Sequence, residues 1–257
     1  LVAWYNRGWV YQKVKAWKRA KDAYTSVLSL DVTVRAAKFS RGVVGVYTGD
    51  FEASIRDLQP IYDLGKEYSA RCVPFLVCAF LRLGRYEEGL AILKAKSKRN
   101  KQNFIKKNLY GAALLGIVAQ RYGQFGCLRD GLASRSAPPP KLQDMIQEAI
   151  QCFQRAISIS PDYAPPYLNL GIAYNLVHKY TNADRCFGTV LSLRFKGESA
   201  RSDPLVQCAM AGQAQTALLA AGPFQAYASL TASKNYLGDV GSIEVSLAWG
   251  VISHALG

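Results

Sequence analysis

Histidine is nearly missing from this chain: His178 and His254 are its only two in 257 residues. Neither stands near a cysteine at metal-ligand spacing, and the six cysteines, at 72, 78, 127, 152, 186 and 208, form no CxxC pair, so a zinc site has nothing to be built from. Cys152 and Cys186 lie 34 residues apart, and the cysteines read as small buried residues on second helices in a reducing compartment, not as disulfides or redox centres. Long apolar runs are lacking too. None approaches the roughly 18 residues that a membrane-spanning helix needs, and a soluble, cytoplasmic protein is expected. The chain has no GxxxxGK[ST] loop, no GxGxxG after a strand and no HExxH. Its carboxylates offer no acid–base pair, since Glu87 and Glu88 lie beside a turn on a solvated face. With no convergent nucleophile, base or metal set, neither catalysis, nor a cofactor, nor a bound metal is expected.

Acid is scarce relative to base. Lys and Arg number 32 against 18 Asp and Glu, a formal charge of +14, and the excess is uneven. Residues 1–108 hold 21 basic and 9 acidic side chains, whereas 109–257 hold 11 and 9. That asymmetry steers an acidic partner toward the N-terminal part. At 50% hydrophobic residues the composition is that of a chain folded almost throughout. It opens at Leu1, without Met and already inside a repeat, so an N-terminal portion is expected ahead of it and the lack of a targeting segment decides nothing.

What is present is a repeated helical pair. In residues 1–31, Trp4, Gly8 and Tyr11 fall on one helical face, a turn follows near Lys15, and Ala20, Tyr24, Val27 and Leu28 fall on one face of a second helix. Gly8 and Ala20 allow close approach, and the hairpin needs copies of itself to cover its apolar faces. An aromatic just after each turn is expected to wedge between the paired helices: Trp17, Phe51, Tyr86, Phe125 and Tyr180, separated by 34, 35, 39 and 55 residues. A helix-turn-helix period near 34 is the signature of one repeat class.

The chain resembles the tetratricopeptide repeat proteins. The resemblance lies in AWYNRGWVY with Ala20 and Tyr24, in GDFEASI (49–55), in LGRYEEGL (83–90) and in residues 149–187, where Tyr167, Leu170, Gly171, Tyr174, Ala183 and Phe187 stand at the family's spacing and Pro161 closes the preceding repeat. It covers roughly residues 1–200 and implies an all-α fold, a right-handed α-solenoid of stacked helix-turn-helix repeats. The repeats are expected at about 1–34, 35–68, 69–103, 109–163 and 164–197, with a degenerate repeat and capping helices over 203–257. In the second, Pro60 predicts a kink or early end; in the third, Pro74 is placed in the first turn of its opening helix. The fourth takes Gly116 as its close-approach residue, with Ala112, Leu115 and Ala119 around it and about 21 residues inserted before the second helix, including an extended loop at 126–142 with SRSAPPPK. Beyond 203, helices are expected from Pro204 to Ala221, then Phe224 to Leu237 and Ile243 to Leu256.

Two surfaces are candidates for function. The resemblance implies a concave groove, lined by first helices, that holds a peptide or partner helix. Residues off the packed face assign it Tyr5, Trp9, Phe39, Val43, Pro74, Leu168 and Ile172, with Cys78 and Ile117 beside them, although Tyr5, Trp9 and Phe39 serve equally well as packing residues. The second surface is the run KAKSKRNKQNFIKK, with Lys94, Lys96, Lys98, Arg99, Lys101, Lys106 and Lys107 and no acid, read either as a solvated helix extension or as a patch for an acidic surface. The carboxylate clamp of family members that grip chaperone tails is incomplete, because Tyr5 and Trp9 occupy its places in the first repeat. The expected function is a non-catalytic protein-interaction scaffold, a subunit of a large complex. Family analogy with charge points to tubulin in cilia and axonemes as the acidic surface; RNA binding in an organellar ribonucleoprotein is the alternative.

Overall fold

The structure, a computed structural model of the chain, describes residues 1–95, 103–122, 139–194 and 203–221. These form eleven helices and, among the described residues, no strand. The chain divides into two compact units, Leu1–Lys101 and Gln102–Gly257.

In the first unit, α1 (Val2–Lys13) pairs with α2 (Trp17–Leu30), α3 (Arg35–Thr48) with α4 (Phe51–Asp63), and α5 (Lys66–Arg82) with α6 (Tyr86–Ala95). Each helix packs on the next in sequence, and α3 also meets α5. That neighbour pattern is what stacked hairpins produce. Within the pairs, the turn always carries one left-handed residue two positions before the aromatic: Lys15 (φ 58°), Gly49 (φ 81°) and Gly84 (φ 73°) precede Trp17, Phe51 and Tyr86. Glycine adopts that conformation without steric cost, whereas Lys15 carries it with a side chain. Asp50 caps α4 through the Ala53 N–H at 3.4 Å and ties it to α2 through Lys21 Nζ at 2.5 Å. Arg41 of α3 grips the buried Asp57 of α4 with both forks, at 2.7 and 2.8 Å.

The second unit pairs α7 (Phe104–Tyr122) with α8 (Pro140–Ile159) and α9 (Pro165–Leu176) with α10 (Tyr180–Arg194), followed by α11 (Pro204–Ala221). First helices again touch, α7 with α9 and α9 with α11. His178 (φ 57°) repeats the left-handed turn residue ahead of Tyr180. Between α9 and α11, Asn175 Nδ2 donates to Thr216 Oγ1 at 2.9 Å in the buried interior.

The residues between paired helices differ from the expected wedges. Trp17, Phe51, Tyr86 and Tyr180 are half-buried at the starts of second helices. Trp17 stacks on Tyr47 at 4.3 Å, and the Arg82 guanidinium covers Phe51 at 5.5 Å. The deep wedge comes one to two turns later: a Cβ on Gly8 would meet the Tyr24 ring at 2.7 Å, one on Gly42 would meet Leu58 at 2.7 Å, and one on Gly171 would meet Phe187 at 2.7 Å. Each partner stands 16 residues after its glycine. In the fourth pair Phe153 lies against Gly111, not Gly116, because it is Gly111 that turns toward α8.

Other expectations shift as well. Helix α4 runs through Pro60 and ends three residues later at Asp63. Helix α5 starts at Lys66, so Pro74 sits at mid-helix, where it removes one backbone hydrogen bond, and not in the first turn. Pro140 to Leu142, expected in the loop, form the first turn of α8. Cys152 and Cys186 lie on the second helices α8 and α10, but Cys72 and Cys78 lie on the first helix α5. Phe125, residues 126–138 of the expected loop and the helices expected after Ala221 lie outside the described residues.

Candidate partner groove

Residues 5, 9 and 12 recur at helical spacing on α1, on a stripe beside Gly8, the residue that meets Tyr24 of α2. On α3, Arg35, Ala36, Phe39 and Ser40 form the facing stripe. Between them opens a groove of about 370 Å³, lined by Tyr5, Trp9, Gln12, Arg35, Ala36, Phe39, Ser40, Ile61 and Arg71. Its floor is tied down. The Tyr5 ring packs on Tyr24 at 5.5 Å, its hydroxyl lies 3.4 Å from Ser40 Oγ, and the Tyr24 hydroxyl donates to Gln12 Oε1 at 2.9 Å. Burial pushes the Tyr24 phenol above its ordinary value, which keeps it a donor.

The rim is open. Trp9 is 52% exposed, with Lys13 Nζ 5.1 Å from its ring centroid. Phe39 meets Phe75 edge-on at 6.3 Å, and the Arg71 guanidinium lies 5.1 Å from the Phe39 centroid. Among the described residues no carboxylate lines this groove. Among the described residues neither Arg35 nor Arg71 has an ion-pair partner. The N-terminus of α3, where Arg35 and Ala36 lie, has no side-chain cap and no acidic residue in its first turn.

Tyr5, Trp9 and Phe39 are therefore brought together. Val43 is not part of the groove: one position from Gly42, it turns inward and is 5% exposed. Pro74 is half-buried in the middle of α5, outside the groove lining, and Cys78 is half-buried with its thiol pushed up by burial. In the second unit Ile117 is buried, while Leu168 and Ile172 are half-buried against the core of Ala164, Ala183, Phe187, Val190 and Ala209, as packing residues are. Sequence reasoning missed Arg35, Arg71, Gln12 and Ser40. Arg35 stands one turn before Phe39 and was within reach of the spacing; Arg71 needed the true start of α5.

Of the basic run, Lys94 is exposed near the end of α6, and Lys106 and Lys107 are half-buried in the first turn of α7. Asn103 caps that turn through the Lys106 N–H at 2.9 Å, and Phe104 is held edge-on by Tyr163 at 4.9 Å. Lys96, Lys98, Arg99 and Lys101 lie outside the described residues. Among the described residues no group of His, Cys, Asp and Glu is gathered as metal ligands, and no helix is long and apolar enough to cross a membrane.

Residues 144–176, from α8 through α9, match the family model described as TPR repeat. No curated protein matches the chain in sequence. Among solved structures, a thermophilic TPR protein of Thermus thermophilus is similar at 15% identity and a TM-score of 0.64, over 87% of this chain and 100% of that one. The Cut9–Hcn1 hetero-tetramer of the APC/C is similar at 17% identity and a TM-score of 0.68, over 100% of this chain and 43% of that one. MamA from Desulfovibrio magneticus RS-1 is similar at 13% identity and a TM-score of 0.55, over 76% of this chain and 96% of that one. Stacked helix pairs and the glycine-to-wedge spacing give the chain the fold of these tetratricopeptide proteins, and residues 144–176 match a tetratricopeptide repeat in sequence.

Proposed function

We propose that the chain is a non-catalytic scaffold of a larger assembly, and that it holds a segment of a partner protein in the groove between α1, α3 and α5. The tetratricopeptide fold itself is that of a protein-interaction scaffold. The observation that carries the groove is Trp9, an indole 52% exposed at the rim of a cleft whose floor is already held by Tyr5, Gln12 and Ser40. Large aromatics at the edge of a pre-formed cleft are the anchors that dominate interface energies. A photo-crosslinking residue at position 36 of the full chain, expressed in its native cells, tests this. One dominant protein adduct is expected, lost on Trp9→Ala or Phe39→Ala while helicity by circular dichroism is unchanged. Adducts no different from those of a crosslinker at exposed Lys18 would overturn the reading, and unfolding on Trp9→Ala would assign that indole to packing.

The charge excess over residues 1–108 supports docking on an acidic surface, of which a microtubule in a cilium or axoneme is one. Sedimentation of the full chain with microtubules at low and high salt checks it; no co-sedimentation at low salt removes that surface. The RNA alternative gains one observation on α1 and α2. Arg7 lies 5.1 Å from Trp4 and 5.5 Å from Tyr11, and Arg19 lies 6.0 Å from Tyr11, a row of cations and aromatics of the kind single strands stack on. Phe104 is half-buried and packs edge-to-face with Tyr163 at 4.9 Å.

A further inference from the structure

We infer that the edge of the first unit at the α1–α2 turn holds single-stranded nucleic acid, its bases stacked along a track that runs from Trp4 to Tyr47. The inference rests on the RNA reading above, gives it a site, and does not involve the groove. Two sets of rings meet at this edge. In the first, the Arg7 guanidinium lies 5.1 Å from the Trp4 centroid and 5.5 Å from that of Tyr11, and Arg19 of α2 comes within 6.0 Å of Tyr11. Arg7 Nε also donates to the Tyr11 hydroxyl at 3.2 Å, which holds the fork against the rings. In the second, Trp17 and Tyr47 stack 4.3 Å apart and 7° from parallel. Beside them lies a hollow of about 470 Å³ whose lining includes Lys18 and Arg19. Arg19 belongs to both sets and joins them into one track. Trp4 is 40% exposed and Tyr47 54%, so each end of the track is a ring left in water.

Solvation alone accounts for arginines and lysines on a helix surface, but not for aromatics left open between them. A flat apolar partner covers the rings and an anionic one answers the cations; a nucleobase on a phosphate chain is both. Among the described residues no ion pair involves Arg7, Lys18 or Arg19. Asp50, three residues past Tyr47, is taken by Lys21, and the exposed Asp22 stands one turn beyond Lys18 and Arg19 on α2. Residues 1–108 carry 21 basic side chains against 9 acidic ones, so the field around the track attracts phosphate. A duplex keeps its base faces covered, and only a single strand can offer them. Guanidinium groups already held against rings need little further ordering when a base arrives. Stacking reads no base edge, so tolerance of base sequence is expected.

Fluorescence anisotropy of the full chain with labelled strands of roughly 12 nucleotides tests this, with oligo(U), oligo(dT) and a duplex of the same length in separate arms. Both single strands are expected to bind, and the duplex to bind more weakly. Tyr47→Leu should weaken them roughly fivefold to a hundredfold, the range for removing one stacked ring, whereas Tyr47→Phe keeps the wild-type affinity. Arg7→Gln and Arg19→Gln should each lower the slope of log affinity against log salt by about 0.7. Both arginines are exposed, so these variants carry the test even where Tyr47→Leu loosens the turn. Arg35→Gln with Arg71→Gln, in the groove of the same unit, should leave that slope unchanged. Single strands that bind yet ignore the Tyr47, Arg7 and Arg19 changes would overturn the track and leave RNA binding to another surface. No binding of either strand at roughly 50 mM NaCl would overturn the RNA reading as well. One strand bound and the other ignored would assign recognition to the sugar and overturn stacking as its basis. A duplex bound as tightly as the single strands, or poly-glutamate displacing them at equal charge, would reduce the surface to plain electrostatics and overturn the inference.

Discussion

Phe187 has no exposed surface and lies between two glycines, since a Cβ at Gly171 of α9 would stand 2.7 Å from its ring and one at Gly212 of α11 would stand 2.6 Å away. Nothing smaller than a ring would fill that space, and nothing larger than a hydrogen fits against it. Gly171→Ala is expected to destabilise the chain by about 1–3 kcal/mol through overpacking, and Phe187→Leu in the same chain to recover part of the loss. Urea unfolding of the single and double variants checks this; an equal loss with and without Phe187→Leu would mean that the ring is not what the new methyl meets. Immediately before Phe187 on α10, burial lifts the Cys186 thiol from its ordinary 9.0 to about 11. On α7, burial, followed by donation to Glu148 at 3.0 Å, lifts the Tyr110 phenol from 10.0 to about 12. In both cases the folded chain keeps a proton that the unfolded chain gives up. The resulting stability is whole below the unfolded values and is lost as pH rises through the folded ones. Cys186→Ala should therefore flatten the decline of stability between pH 9 and 11, read from urea midpoints, and leave the Tyr110 part at higher pH; an unchanged slope would mean that the thiol titrates normally.

Helix α4 carries Pro60 three residues before its end, exposed and without an N–H for the Arg56 carbonyl. Pro60→Ala restores that bond at a solvent-facing site and should stabilise the chain by about 1–3 kcal/mol, less what proline gains by stiffening the unfolded state. A thermal midpoint unchanged or lowered would show that the proline shapes the α4–α5 link. That link also marks where the sequence stopped being readable. Helix pairs were legible because apolar residues recur at helical spacing and Gly49 and Gly84 punctuate the turns. The start of α5 was not, because only Leu64 and Gly65 separate α4 from α5, and Gly65 makes the break by a left-handed φ of 71° that spacing does not reveal. The fourth pair misled for another reason: α7 carries Gly111, Ala112, Ala113, Gly116 and Ala119 around its circumference, and only the position of Phe153 chooses Gly111. In the groove, Tyr5, Trp9 and Phe39 were readable as aromatics off the packed face. Leu168 and Ile172 occupy matching places on α9 but pack against the core that α10 and α11 complete, which no property of α9 alone announces.

Across the molecule, sequence neighbours are also spatial neighbours: within each unit a helix touches those one or two positions along the chain. Stability in such an arrangement is a sum of hairpin terms and of interfaces between adjacent hairpins, so damage spreads by proximity. The second unit gives this a sharp form. Helices α7 and α8 close on each other through Phe153 and Gly111, whereas α9, α10 and α11 share one ring, Phe187. Phe187→Ala should cost about 3–5 kcal/mol, and the cost should be local. Amide hydrogen exchange followed by mass spectrometry is expected to show protection falling in α9, α10 and α11 while α7 and α8 keep more of theirs, because opening the last helices leaves the Phe153 contact intact. Equal loss in α7, α8 and α9 to α11 would mean that the unit unfolds as a single block, and that the interface between α8 and α9 is as strong as either hairpin.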